Sequence, residues 1–313
     1  MFLLKNNKLS NNQIIDNKSS KYNFRKIKAF SLIELSIVIL IIGILVAGVT
    51  SSSRLITRMK VITAQNLTRN SPVSSIKDLA VWYETSLDES FDNAEETDDG
   101  IISAWFDMNP QSTFKLNALQ ANIANKPKYK INIFNGLPGI LFNGSSNFLL
   151  ANSVGINGKG LTIFLVAKRN AYSSPSGIMS GLPVGETNDF NPGCFQTFYD
   201  QNSAQYFTVS TNTWFSVVSQ PSPADNTPFI SSTIFNGSNN ISYLNNFVGT
   251  TVNGSPTFLV DRLYIGSRFT GNNVNSYFNG YIAEIIIYNR GINTEERLAV
   301  NAYLSKKYAI KTS

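Results

Sequence analysis

Residues 30–49 read FSLIELSIVILIIGILVAGV, and what buries this stretch decides the architecture of the N-terminal part of the chain. It follows the basic run Arg25-Lys26-Ile27-Lys28 and the small residue Ala29, and it holds one charge, Glu34, near its head. No charged residue occurs from Leu35 to Ser53, which as an α-helix is long enough to cross the hydrocarbon core of a bilayer. A carboxylate at the edge of such a segment costs about 2.5–3.5 kcal/mol at a helix centre and less near an end, so it calls for a partner. A cut immediately before Phe30 would supply one, a free α-amino group. An ordinary secretory signal has a shorter apolar core, about 7–15 residues, and a small-x-small site such as Val46-Ala47-Gly48. An uncleaved anchor accounts for the length. Neither explains Glu34, and a buried core helix needs no apolar residues on every face.

The arrangement Lys26/Lys28, Ala29, Phe30, then Ser-Leu-Ile-Glu-Leu with Glu34 as the fifth residue after the cut, resembles the prepilin signal of type IV pilins and type II secretion pseudopilins. The resemblance implies cleavage between Ala29 and Phe30 by a prepilin peptidase, methylation of the new Phe30 amino group, and assembly through Phe30 and Glu34. Two departures stand out. The family normally has Gly where this chain has Ala29, and the leader, residues 1–29, is longer than most.

The chain has 313 residues, room for one ordinary to large domain plus an appendage. A net charge of +6 invites a nucleic-acid reading. Residues 1–29 account for all of it, with seven Lys and Arg (Lys5, Lys8, Lys18, Lys21, Arg25, Lys26, Lys28) against Asp16 alone. The basic leader fits an N-terminus kept cytoplasmic, and no nucleic-acid partner is expected for the body. There is no histidine and one cysteine, Cys194. Ser-His-Asp and Cys-His catalysis, His metal sites, cysteine-cluster zinc sites and an intrachain disulfide are thereby excluded.

Beyond the apolar run, Leu55, Ile56, Met59 and Ile62 keep a helical stripe, and Pro72 in Ser71-Pro72-Val73-Ser74-Ser75 ends the stalk. From about Ile76 short alternating strands take over, among them 161–167, 241–244, 263–265 and 281–288, divided by turns such as Asn143-Gly144 and Asn236-Gly237. Many short strands separated by turn residues argue for a sandwich or barrel. A closing helix is marked by Asn293 with Glu296 three residues on, and by the apolar stripe Val300, Tyr303, Leu304, Tyr308. The expected fold is mainly β: a long transmembrane and stalk helix (30–75) after the leader (1–29), then an antiparallel jelly-roll sandwich with a short C-terminal helix (76–313).

The segments Leu79-Ala80-Val81-Trp82-Tyr83, Ala104-Trp105-Phe106-Asp107, Phe134-Asn135-Gly136-Leu137-Pro138 and Asn279-Gly280-Tyr281-Ile282-Ala283-Glu284-Ile285 resemble, in order, a concanavalin A-like (laminin G-type) domain over roughly 78–310. The chain departs from it after Asp107, where Met108-Asn109-Pro110 replaces the family's usual Ser-Gly-Asn-Gly. That fold hosts glucanases, lectins and interaction modules, so the fold alone does not choose among them. A retaining glucanase needs two facing carboxylates. The candidates Glu95/Asp99 and Glu96/Asp98 lie in a loop-like run, and no enzyme is expected. Laminin G-type relatives often bind calcium, and the acidic run from Glu84 to Asp99 offers Asp88, Asp92, Asp98 and Asp99, although a solvated acidic loop is the better reading of it. Gly155-Ile-Asn-Gly158-Lys159-Gly160 lacks Ser or Thr after the lysine and leads into a strand, so it is no phosphate loop. Glycan binding would use exposed aromatics among Tyr199, Tyr206, Trp214, Tyr277 and Phe278.

The expectation is a non-enzymatic pilin-like or pseudopilin-like subunit with its head in the periplasm and its anchor in a bacterial inner membrane. About 230 head residues are bulky for a repeated shaft subunit, which favours a minor or tip-located pilin used in adhesion. The rival readings are a secretion pseudopilin contacting cargo and an anchored lectin-like protein that never polymerises.

Overall fold

A computed structural model of the protein describes residues 31–312 except 172–174, 201–205, 211–215 and 221, without the side chains of 49–54, 206–207, 209–210 and 216–220. The chain falls into two compact units, one ending at Ser52 and one spanning Ser53–Ser313. Helix α1, Leu32–Arg69, runs 38 residues without a proline. It stops where Asn70 Nδ2 and the Asn70 N–H both bond the Asn66 carbonyl and Pro72 opens a 3-10 turn, Pro72–Ser75.

The second unit is a two-sheet antiparallel sandwich. One eight-stranded sheet runs in the order Phe247–Asn253, Asn239–Leu244, Pro228–Asn236, Gly160–Arg169, Asn279–Tyr288, Leu137–Asn143, Lys128–Phe134. Its remaining strand, Leu79–Glu84, pairs with the C-terminal half of Asn279–Tyr288. The other eight-stranded sheet contains Phe195–Tyr199, Ser176–Leu182, Arg262–Ile265 and Leu149–Ala151 as neighbours. Between the sheets lies a core that includes Tyr83, Trp105, Phe142, Leu165, Phe195, Leu263 and Ile285.

The first sheet is buried on both faces. Ile285 and Ile287 point into the sandwich, while Ile286 and Tyr288 pack outward under α2, Thr294–Tyr308. Burial on two sides explains why 281–288 reads as an unbroken apolar run. The capping box expected at Asn293 and Glu296 is present, and α2 buries Val300, Tyr303, Leu304 and Tyr308. Strands are found at all four expected places, within Gly160–Arg169, Asn239–Leu244, Arg262–Ile265 and Asn279–Tyr288.

Two expectations change. The stripe Leu55, Ile56, Met59, Ile62 is exposed. The face of α1 that meets the sandwich is instead Val61, Ala64, Gln65 and Thr68, at i, i+3, i+4 and i+7 but half polar. Glu84, taken as the start of an acidic loop, ends a strand and is fully buried.

Candidate functional site

At the head of α1 the sequence Ser-x-x-Glu folds into a cap. The Ser31 backbone N–H donates to Glu34 Oε2 at 2.9 Å, and Ser31 Oγ accepts from the Ile33 N–H at 3.2 Å. The carboxylate thus satisfies an otherwise orphan backbone donor at the positive end of the helix dipole. Ala29 and Phe30 lie outside the described residues. The large apolar side chains from Leu32 to Val46 are 46% to 86% exposed. No helix among the described residues is long and apolar enough to cross a membrane.

A second constellation was not foreseen. Glu84 and Glu284 are direct cross-strand partners, an arrangement that like charges disfavour. Lys307, from the last turn of α2, inserts its Nζ between them, 2.8 Å from Glu84 Oε2 and 2.9 Å from Glu284 Oε2. All three side chains are fully buried. Glu84 also accepts from the Ser86 and Leu87 N–H groups and the Ser86 and Ser90 hydroxyls. Glu284 accepts from Trp82 Nε1 and Tyr303 OH, both at 2.8 Å, on Oε1, and from Tyr308 OH at 2.8 Å on Oε2. Thr68 Oγ1 lies 3.2 Å from Tyr303 OH, which brings α1 into the network.

Burial alone would raise the Glu84 pKa, but Lys307 and the two serine hydroxyls outweigh it and hold the carboxyl below its usual range. Burial likewise opposes the charge on Lys307, and the two carboxylates more than offset it. Burial, reinforced by Glu284, pushes the Tyr303 and Tyr308 phenols well above the ordinary value. A signal for this cluster did exist in the sequence. Lys307 falls at i+7 from Val300, on the apolar stripe, and each of two strand-like runs carries one glutamate.

The expected acidic and aromatic residues do not gather into one site. Asp88 accepts from Gln65 Nε2, Asp98 pairs with Lys130, and Asp99 with Lys130 and Lys128. Among the described residues no group of three or more metal-ligating side chains is found, and Asp92 is no exception. Tyr199 and Phe278 are fully buried in the inter-sheet core, so neither is an exposed platform. Arg169 covers the Tyr199 ring at 4.2 Å. Tyr277 is half-buried and donates its hydroxyl to the Val274 carbonyl. Trp214 and the side chain of Tyr206 lie outside the described residues. Cys194 is buried. An aromatic that sequence reasoning passed over, Phe114, is 65% exposed on the rim of a depression of about 290 Å³ shared with Asp78, Ser112 and Asn289.

The model of the prokaryotic N-terminal methylation motif matches residues 24–50. The chain carries a prepilin-type methylation motif. That motif implies processing by a prepilin peptidase and assembly with other pilin subunits. No curated protein matches the chain. Among solved structures, Trypanosoma rangeli sialidase is 15% identical over 81% of this chain and 39% of that one, with a TM-score of 0.49. Domain 4 of AbnA, an extracellular arabinanase from Geobacillus stearothermophilus, is 10% identical over 72% and 97%, with a TM-score of 0.45. A mutant of NanB sialidase from Streptococcus pneumoniae is 15% identical over 45% and 23%, with a TM-score of 0.37. The chain therefore spans less than a quarter of the length of that sialidase.

Proposed function

We propose that this chain is a minor or tip-located pilin-like subunit whose apolar arm anchors it in the bacterial inner membrane and then in a filament, with the sandwich as a non-enzymatic recognition head. The observation that carries the reading is the methylation motif at residues 24–50 joined to an arm whose large apolar side chains from Leu32 to Val46 are exposed. Exposed apolar surface of that extent needs lipid or other helices to cover it. Cutting before Phe30 would place an amino group beside the Ser31 amide that Glu34 already holds. The carboxylate can then exchange its own helix cap for the Phe30 ammonium of a neighbouring subunit. Such a pair neutralises two charges where an isolated one is expensive.

The test is the intact mass of the protein extracted from its native membrane, read with a filament co-purification. A mass that shows the loss of residues 1–29 and the gain of one methyl, in a fraction that also holds filament subunits, is expected. A mass that retains the leader refutes processing. Correct processing without filament subunits favours the anchored lectin-like reading, and co-purification with a secretion machine favours the pseudopilin one. Phe114 beside Asp78 and Asn289 supports a recognition role for the head, because an exposed ring next to polar groups is the surface a glycan or peptide contacts.

A further inference from the structure

The buried Lys307 cluster holds more functional groups than an ion pair uses. We infer that Lys307 and Glu284 condense into an intramolecular amide, with Glu84 as the base. Lys307 Nζ lies 2.9 Å from Glu284 Oε2, so the carboxyl carbon is within one bond length beyond the oxygen it already touches. The other oxygen, Oε1, receives Trp82 Nε1–H and Tyr303 O–H, both at 2.8 Å. Two fixed donors on one carboxyl oxygen are what a developing oxyanion requires. Oε2, the oxygen that must leave, faces the Tyr308 hydroxyl at 2.8 Å. Glu84 Oε2, 2.8 Å from Nζ, is placed to take the ammonium proton and is itself held as a carboxylate by the residues around Ser86.

The step balances without any co-reactant. Glu84 carries one proton from the Lys307 ammonium to Glu284 Oε2, and the freed amine adds to the carbon of the resulting carboxylic acid, forming the C–N bond. The negative charge gathers on Oε1 beneath Trp82 and Tyr303. Glu84 relays the second proton lost from nitrogen to Oε2, the C–Oε2 bond breaks, and water departs. One ammonium and one carboxylate become a neutral amide, and Glu84 ends as the carboxylate it began. Condensation removes the Lys307 and Glu284 charges, and Glu84, left without a cation, is held by the Ser86 and Leu87 N–H groups and the Ser86 and Ser90 hydroxyls. The link would fasten the last turn of α2 to the central strand of the helix-backed sheet.

The deciding experiment is intact-mass and peptide mapping of the full chain purified from membranes. The expected result is a mass one water below that of the processed sequence and a branched peptide joining Lys307 to Glu284. A full-weight protein that yields linear peptides through both residues overturns the inference, and a branch ending at Glu84 overturns the assignment of Glu284. Glu84→Gln should leave the mass at its uncondensed value while circular dichroism reports an intact sandwich. A folded E84Q protein that still lacks the water removes Glu84 as the base. Glu284→Gln gives an independent check, since condensation would then expel ammonia and produce the same final mass as the native product.

Discussion

The two α-helices among the described residues open alike and end in opposite environments. At the head of α1 the Ser31 amide is held by Glu34, and at the head of α2 the Asn293 amide is held by Glu296, each carboxylate three residues in. Beyond the cap, α2 buries Val300, Tyr303 and Leu304 against a sheet, while α1 carries Leu32 to Val46 exposed. Both carry apolar side chains beyond the cap, and what differs is whether the chain itself buries them. For α2 the burial partner is another part of the same chain. For the arm of α1 the proposed assembly supplies it from lipid or other subunits, and a pairing role for Glu34 beyond its cap belongs to that proposal.

The sharpest way to break that contrast is Glu34→Ala. If the carboxylate serves only as a cap, the loss is about 1 kcal/mol of local helix stability and filaments persist. If it pairs with the Phe30 ammonium of a neighbour, incorporation into filaments fails while membrane extraction is unchanged. Quantitative immunoblotting of sheared filaments against the membrane fraction separates the two, and loss of filament signal is the expected outcome.

Next in size is the partner that α2 supplies to the sheet. Lys307→Met leaves Glu84 and Glu284 facing each other across adjacent strands with no cation, and breaking a buried pair in this way costs about 3–5 kcal/mol. Urea denaturation of the detergent-solubilised protein should show the midpoint falling accordingly. Adding Glu284→Gln to Lys307→Met should recover part of the loss, because it removes one of the two opposed charges. A midpoint unmoved by Lys307→Met would mean that the cluster is not buried as described.

Much of this architecture could be read in the residues, and the exceptions have a common cause. The arm, the α2 cap and the long strands were legible because each depends on neighbours in sequence: a charge-free run, an Asn-x-x-Glu spacing, an apolar stretch between turns. The Glu84–Lys307–Glu284 cluster was legible only in its parts, a lysine on an apolar helix stripe and one glutamate in each of two strand-like runs, because 200 residues separate its two acids and only strand register brings them together. Tyr199 and Phe278 show a second limit. Sequence does not tell an exposed aromatic from a core one, and alternation turns both into the core. The head-facing seam of α1 was missed for a similar reason, since Gln65 and Thr68 dock through hydrogen bonds that hydrophobic spacing does not register.

A smaller effect separates the acidic loop from the buried acids. Burial, aided by Asp88, Glu84 and Glu89, pushes the Glu96 carboxyl from 4.5 up to about 7. The folded state then keeps a proton that the unfolded chain has released between those values. Stability from this group is therefore greatest near the acidic end of that window and declines as the pH rises through 7. Glu96 is partly exposed, so solvent moderates the effect. The urea midpoint should be higher at pH 5.5 than at pH 8, and Glu96→Gln should flatten the difference. A slope that survives Glu96→Gln would assign it to another group.

The smallest expected change returns to the two caps. Asn293→Ala removes the acceptor for the Glu296 N–H, at 2.9 Å, and should cost about 1 kcal/mol, with Asn293→Gly losing only a few tenths. The Arg290–Glu296 ion pair remains and keeps Glu296 in place. The loss should appear in global unfolding of the sandwich, because α2 is part of its packed outer layer. Ser31→Ala removes a comparable bond from the arm, whose large apolar side chains are exposed, so global unfolding of the sandwich should not register it. Equal shifts for the two alanine variants would mean that the arm is coupled to the sandwich after all, and the contrast between a helix buried by its own chain and one left for another partner would fall.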